Sequence, residues 1–179
     1  VGSARRRNLC VNQPVCRVEG DAAIQDERAV NLISTQVGPW LRCTRTTGQK
    51  LFAALPRECA DFILLDAPCS GDTLARREGR GLAKHLRGQP DAASMKEIVA
   101  TQLEIVRAAW PCLRPGGALV YATCSLRPRE DEEIVHQVLR EFDDASVEDL
   151  AGLATSGDAM LRLWPQTHDS AGFFAAKLR

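Results

Sequence analysis

Two cysteines and an acid stand where two apolar runs of the chain give out. The first run, 62–65, passes straight into Asp66, Pro68 and Cys69 and then turns on Ser70 and Gly71, giving "ILLDAPCSGDT". The second, "ALVYA" at 118–122, ends in Thr123, Cys124 and Ser125. A thiolate is a strong nucleophile. Added to carbon 6 of a cytosine, it turns the inert ring into an enamine with electron density on carbon 5. An acid fixed at a strand end is suited to hydrogen-bond the N3 and N4 edge of that ring and favour the protonated adduct. A second thiol is suited to assist loss of the carbon-5 proton or release of the adduct, and an activated methyl donor completes the chemistry. A redox role for the two thiols is a distant alternative, because reactive dithiols usually lie much closer in sequence.

The surrounding pattern supplies elements to hold these groups. "FILLD" (62–66) and "ALVYA" (118–122) are short continuous apolar runs, the signature of strands buried on both faces of a parallel sheet. Between them, Ser94 with Glu97 three residues later reads as a capping box, opening a helix with the stripe Met95, Val99, Leu103, Val106, Trp110 and Leu113. "RPGG" (114–117) is expected to stop that helix and turn the chain into the second strand. Pro128 and the acids Glu130 to Glu133 begin another helix, their charge matching its N-terminal dipole. Its buried side is Ile134, Val135, Val138, Leu139 and Phe142. Upstream, "DERAVNLISTQV" (26–37) also has helical spacing. Residues 77–91 form a glycine-rich basic loop, and 143–160 a surface connection. "LRLW" and "GFFAAKL" are expected to pair as a closing hairpin. Strand, helix, strand, helix without an internal repeat predicts an α/β sandwich on a mostly parallel sheet, whose ligands gather at the carboxyl ends of the strands.

Composition narrows the class. A chain of 179 residues, 45% hydrophobic and 26% charged, suits one globular domain. Its formal net charge is zero, so a nucleic-acid partner needs a local basic patch. Such a patch is offered by Arg76, Arg77, Arg80, Lys84, His85 and Arg87. No apolar run approaches the roughly 18 residues of a membrane span, and no signal-peptide core opens the chain. The chain starts at Val1 rather than Met and is expected to be a piece of something longer. Its seven cysteines form no CxxC pair and have no paired histidines nearby, which argues against a metal site. An odd count without a secretory signal points to reduced thiols in an intracellular compartment. Cys10, Cys16, Cys43, Cys59 and Cys112 read as small buried hydrophobes. His85, His136 and His168 show no ligand spacing.

"DAPCSG" followed by "GGALVYATCSLRPREDEEIV" resembles the RNA (cytosine-5) methyltransferases of the Nop2/Sun (Fmu) family, and "LRLWPQTHDSAGFFAAKL" is similar to that family's closing hairpin. The resemblance runs from about Phe62 to the C-terminus. It implies a Rossmann-like sheet that uses S-adenosylmethionine, with a C-terminal antiparallel hairpin, acting on carbon 5 of a cytidine in ribosomal or transfer RNA. By the same resemblance Cys124 matches the attacking nucleophile and Cys69 the second cysteine, implicated in product release. Asp66 matches the acid beside both target base and cofactor, and Pro68 the rigid neighbour that shapes the pocket for both. Arg76 and Arg77 are the candidate substrate contacts in the basic loop.

The first third departs from the pattern, dividing the chain into a divergent or truncated cofactor-side part (1–61) and a catalytic part (62–179). The family's glycine-rich cofactor loop, D-x-C-A-x-P-G-x-K-T, has no counterpart, and counting back places it before Val1. "RNLCV" (7–11) is the candidate substitute for the missing first strand. The slot of the ribose-binding acid, five positions before Arg28, holds Ala23, with Asp21 and Asp26 as possible stand-ins. That of the adenine-side acid holds Thr47. A lost carboxylate contact of this kind typically costs a few kcal/mol, enough to weaken binding by orders of magnitude. Two readings follow: a methyltransferase domain, or a catalytically impaired descendant that binds RNA or protein without cofactor.

Overall fold

The computed structural model describes residues 8–11 (backbone only), 47–72, 90–150, 152–155 and 157–179. The helix expected over 26–37, the basic loop with Arg76 and Arg77, Ala23 with its stand-ins Asp21 and Asp26, and Cys16 and Cys43 lie outside them.

The described elements are strands β1 (Asn8–Val11), β2 (Ala60–Asp66), β3 (Leu113–Thr123), β4 (Val147–Glu148), β5 (Leu161–Leu163) and β6 (Phe173–Leu178). Four helices join them: α1 (Gly48–Ala53), α2 (Ala92–Ala109), α3 (Glu132–Glu141) and α4 (Pro165–His168). The sheet order is β1-β2-β3-β6-β4, with β5 also pairing β6. β1, β2 and β3 run parallel, so Asn8–Val11 lies beside β2, with Cys10 opposite Leu64. β6 is antiparallel to β3 on one side and to β4 and β5 on the other. The closing hairpin is therefore present, with α4 in its loop. The connection 143–160 is less plain than its sequence, because Val147–Glu148 adds a two-residue edge strand.

Ile63 and Leu65 of β2 and Leu119 and Tyr121 of β3 are fully buried, in one core with Leu103, Ile105 and Val106 of α2 and Ile134, Val135 and Val138 of α3. Phe62 and Leu64 are only half-buried, so β2 is closed over on one face and less completely on the other. Helix α1 meets α2 at Gly48, where a Cβ would stand 3.0 Å from Ile105 Cγ2.

Helix α2 corrects two sequence expectations. It begins at Ala92 rather than Ser94, and its cap is Asp91, whose carboxylate accepts from Ser94 N at 2.8 Å. Ser94 thus supplies the third amide of the first turn, the group an N-cap acid satisfies. The helix also ends before "RPGG". The missing amide of Pro111 breaks the α-ladder, and Trp110–Cys112 closes as a 3-10 turn. Residues 114–117 instead form a wide bulge inside β3: Leu113 pairs with Ala60, Ala118 with Phe62, and only Asp61 faces the four between. Gly116 takes φ +75° there, and a Cβ on Gly117 would stand 2.9 Å from Arg114 O. Beside this bulge, at the amino end of β3, an open groove of about 470 Å³ is lined by Arg57, Trp110, Arg114, Phe142 and Arg179 among others.

Candidate active site

The opposite ends of β2 and β3 carry the thiols. Strand pairing continues one step past β2, with Ala67 N donating to Ala122 O at 2.8 Å. Pro68 has no amide to continue it, and Gly71, at φ +70°, turns the chain. The segment after β3 follows alongside. Cys69 Sγ lies 3.1 Å from Cys124 Sγ, Ser70 Oγ 3.4 Å from Ser125 Oγ, and Arg127 grips Asp72 through Nε at 2.9 Å and Nη2 at 3.2 Å. Two loops 55 residues apart thus run as one ribbon.

Glu130 lies beneath this ribbon, fully buried. Its Oε1 accepts from Ser70 N at 2.8 Å and Gln102 Nε2 at 3.2 Å; its Oε2 accepts from Ser70 Oγ at 2.5 Å and Ser125 Oγ at 2.7 Å. Gln102 also donates to Pro68 O at 2.8 Å, and Tyr121 OH to Glu130 O at 2.6 Å. Gln102 Oε1 is buried without a partner among the described residues. A second buried acid, Asp131, accepts from Thr123 Oγ1 at 2.5 Å and from Arg162 Nη2 at 2.8 Å. Arg162 also binds Glu132 and stacks its guanidinium 4.9 Å from the Trp164 ring and 5.1 Å from Phe174.

The local electrostatics follow from burial and from this pairing. The Cys69 thiol is pushed far above its ordinary range, first by its hydrogen bond with Cys124 and then by burial; the backbone amides of Gly71 and Cys124 pull the other way. The two sulfurs share one hydrogen-bonding contact at 3.1 Å, in which either can donate. Asp66, half-buried at the end of β2, has its carboxyl raised by desolvation and meets no hydrogen-bond partner among the described residues. Burial raises Asp131 to about 7, against the pull of Thr123 and Arg162. Cys112 fits the role of a small buried hydrophobe, its thiol raised by burial; Cys59 is half-buried.

The structure brings together Asp66, Pro68, Cys69 and Cys124 at one sheet edge. Thr47 is the N-cap of α1, its hydroxyl accepting from Lys50 N, so that slot carries no carboxylate. Ser70, Ser125, Gln102, Glu130 and Arg162 were not singled out by the sequence. Of the acids expected to open the helix and match its dipole, Glu132 and Glu133 do lie in the first turn of α3, whereas Glu130 closes a 3-10 turn, Pro128–Glu130, and Asp131 is the N-cap, both fully buried. Among the described residues no group of three or more His, Cys, Asp or Glu could hold a metal, and no helix is long and apolar enough to cross a membrane.

A parallel-centred sheet with an antiparallel β6 and helix-backed strands is that of a Rossmann-like, S-adenosylmethionine-dependent methyltransferase. Its solved neighbours agree: NSun6 from Pyrococcus horikoshii with SFG has a TM-score of 0.70 and 27% identity, covering 88% of this chain and 39% of that one. A methyltransferase homolog protein from the same organism has a TM-score of 0.64 and 27% identity, covering 85% and 49%. Residues 22–179 match the family described as 16S rRNA methyltransferase RsmB/F, and the chain belongs to that family. Among curated relatives, ribosomal RNA small subunit methyltransferase F of Erwinia tasmaniensis is 41% identical over 143 residues, 76% of this chain and 29% of the relative. Its namesake in Vibrio vulnificus is 35% identical over 137 residues, 73% and 28%. The chain thus spans under a third of the length of these relatives.

Proposed function

We propose that this chain is the catalytic part of an RNA (cytosine-5) methyltransferase acting on ribosomal RNA, with Cys124 as nucleophile. The observation that carries the reading is the 3.1 Å contact between Cys69 and Cys124 at the carboxyl ends of adjacent parallel strands. The names of the relatives, ribosomal RNA small subunit methyltransferase F, favour ribosomal over transfer RNA.

The nucleophilic thiolate is assigned to Cys124, the cysteine whose motif matches the attacking residue, with the Cys69 sulfur 3.1 Å away to support it. Its addition forms a sulfur–carbon bond at carbon 6 of the cytosine and moves the ring's π electrons to carbon 5. Asp66, at the carboxyl end of β2 with its carboxyl raised by burial, is suited to hydrogen-bond the N3 and N4 edge of the ring and offset the charge that develops there. S-adenosylmethionine, when bound, supplies an electrophilic methyl group to carbon 5. Loss of the carbon-5 proton then returns the electron pair, breaks the sulfur–carbon bond and regenerates the Cys124 thiolate. Cys69, in contact with that sulfur throughout, assists this release. Asp66 and Pro68 fit the cofactor side of the cleft, and Arg76 and Arg77 are candidate phosphate contacts.

A covalent trap tests the mechanism. The Cys69→Ala protein should accumulate an RNA adduct that survives denaturation, and Cys124→Ala should abolish both adduct and methyl transfer. Absence of adduct with small-subunit ribosomal RNA would overturn it. One observation favours the other reading, an impaired descendant: Thr47 caps a helix where a carboxylate is needed. Calorimetry with S-adenosylmethionine separates the two, since micromolar binding excludes the impaired form.

A further inference from the structure

We infer that Glu130 is a positioning residue whose buried carboxylate clamps the two cysteine loops together and so sets the sulfur-to-sulfur contact on which the proposed function rests. The residues it holds are the immediate chain neighbours of the thiols: Ser70 follows Cys69, and Ser125 follows Cys124. The clamp grips the first loop twice, through the amide and hydroxyl of Ser70, and the second once, through the hydroxyl of Ser125. Neither loop is tied to the other by strand pairing beyond Ala67. Other direct ties between the loops include the thiol contact, the 3.4 Å serine contact, the Cys124 amide at the Cys69 thiol, and the outer, part-exposed Arg127–Asp72 pair.

The carboxylate is itself held from behind. Tyr121 OH fixes its backbone carbonyl, and Gln102 reaches from α2 to bind both Glu130 and the Pro68 carbonyl just before Cys69. A charged acceptor is suited to this place because one carboxylate offers about four lone-pair sites, matching the four donors aimed at it. Hydrogen bonds to a charged acceptor are also roughly twice as strong as neutral ones. An amide at the same site has one oxygen and two N–H donors, so two of the four contacts must reverse polarity or break. Displacements near 1 Å in a catalytic constellation cost on the order of 100-fold in rate. No contact of Glu130 with a bound base is required; it acts through the loops.

Two readouts test this in the full chain, one of which needs neither RNA nor cofactor. Diamide oxidises two thiols to a disulfide, taking up their two protons and two electrons. Its rate of cross-linking Cys69 to Cys124, followed by peptide mass, reports how often the sulfurs meet. Glu130→Gln should melt cooperatively, slow this cross-linking at least tenfold, and lower kcat about 100-fold while KM for RNA stays within about threefold. Should Glu130→Gln fail to melt cooperatively, the Ser70→Ala/Ser125→Ala double variant, which removes two clamp contacts without touching the buried charge, carries the same test with the same expectations. Cross-linking at the parental rate in a folded variant overturns the assignment, as does a loss confined to KM. Slowed cross-linking in a chain whose parent never methylates RNA upholds the clamp while the proposed function fails.

Discussion

Strands β2 and β3 are joined in two different ways at their two ends. At the carboxyl end the loops stay in step, and the groups that hold them are buried: Glu130 and Asp131 are sealed from solvent, and Arg162 nearly so. At the amino end the pairing is broken by the four-residue bulge 114–117. There Arg114 meets Asp61 at 2.9 Å with both side chains about one-third exposed, and Arg179 meets Glu148 at the surface. Both ends are rich in charge, yet the fully buried acids lie at the carboxyl end, with the part-exposed Arg127–Asp72 pair at its outer margin. A buried group stripped of its partner pays its full desolvation cost, whereas a surface group is rehydrated. The paired thiols stand at the end where errors are expensive.

Three substitutions probe that contrast, beginning with the largest effect. Arg162→Ala leaves Asp131 buried and deprived of its cation, and also removes the stacking on Trp164 and Phe174. It should lower the unfolding free energy by about 3–5 kcal/mol, read from urea denaturation. A loss near zero would mean that water reaches this end after all.

The next effect depends on pH. Because burial raises Asp131 from 3.8 to about 7, the folded protein takes up a proton in that window that the unfolded chain has already released. Stability should therefore fall as pH rises from about 4 to 7. Asp131→Asn should flatten this dependence, by about 2–3 kcal/mol between pH 5 and pH 8. A slope shared by parent and variant would assign the effect to another group. The smallest effect belongs to the amino end: Arg114→Ala should cost under about 1 kcal/mol in the same urea measurement, and a larger loss would erase the distinction between the ends.

The sequence carried the chemistry further than the architecture around it. Thiols, acid and proline were legible because each follows an apolar run, and strand ends are where a parallel sheet collects reactive groups. Two local features were misplaced for local reasons. Asp91 captures the Ser94 amide and moves the start of α2, and Pro111 stops that helix before the glycines arrive. The clamp was hidden for a different reason. Ser70, Gln102 and the stretch from Ser125 to Glu130 come from three segments, and nothing local to any one of them announces a shared partner.

Loop lengths inherit a constraint from this arrangement. Along β2 and β3 partners are 56 positions apart, as with Asp66 and Ala122, and through the loops they are 55 apart, from the cysteines to Arg127 and Asp72. A single codon gained or lost between 67 and 72 on one side, or 123 and 127 on the other, throws every later pair out of alignment. An insertion or deletion in either loop should therefore cost more than a change of residue type at the same position.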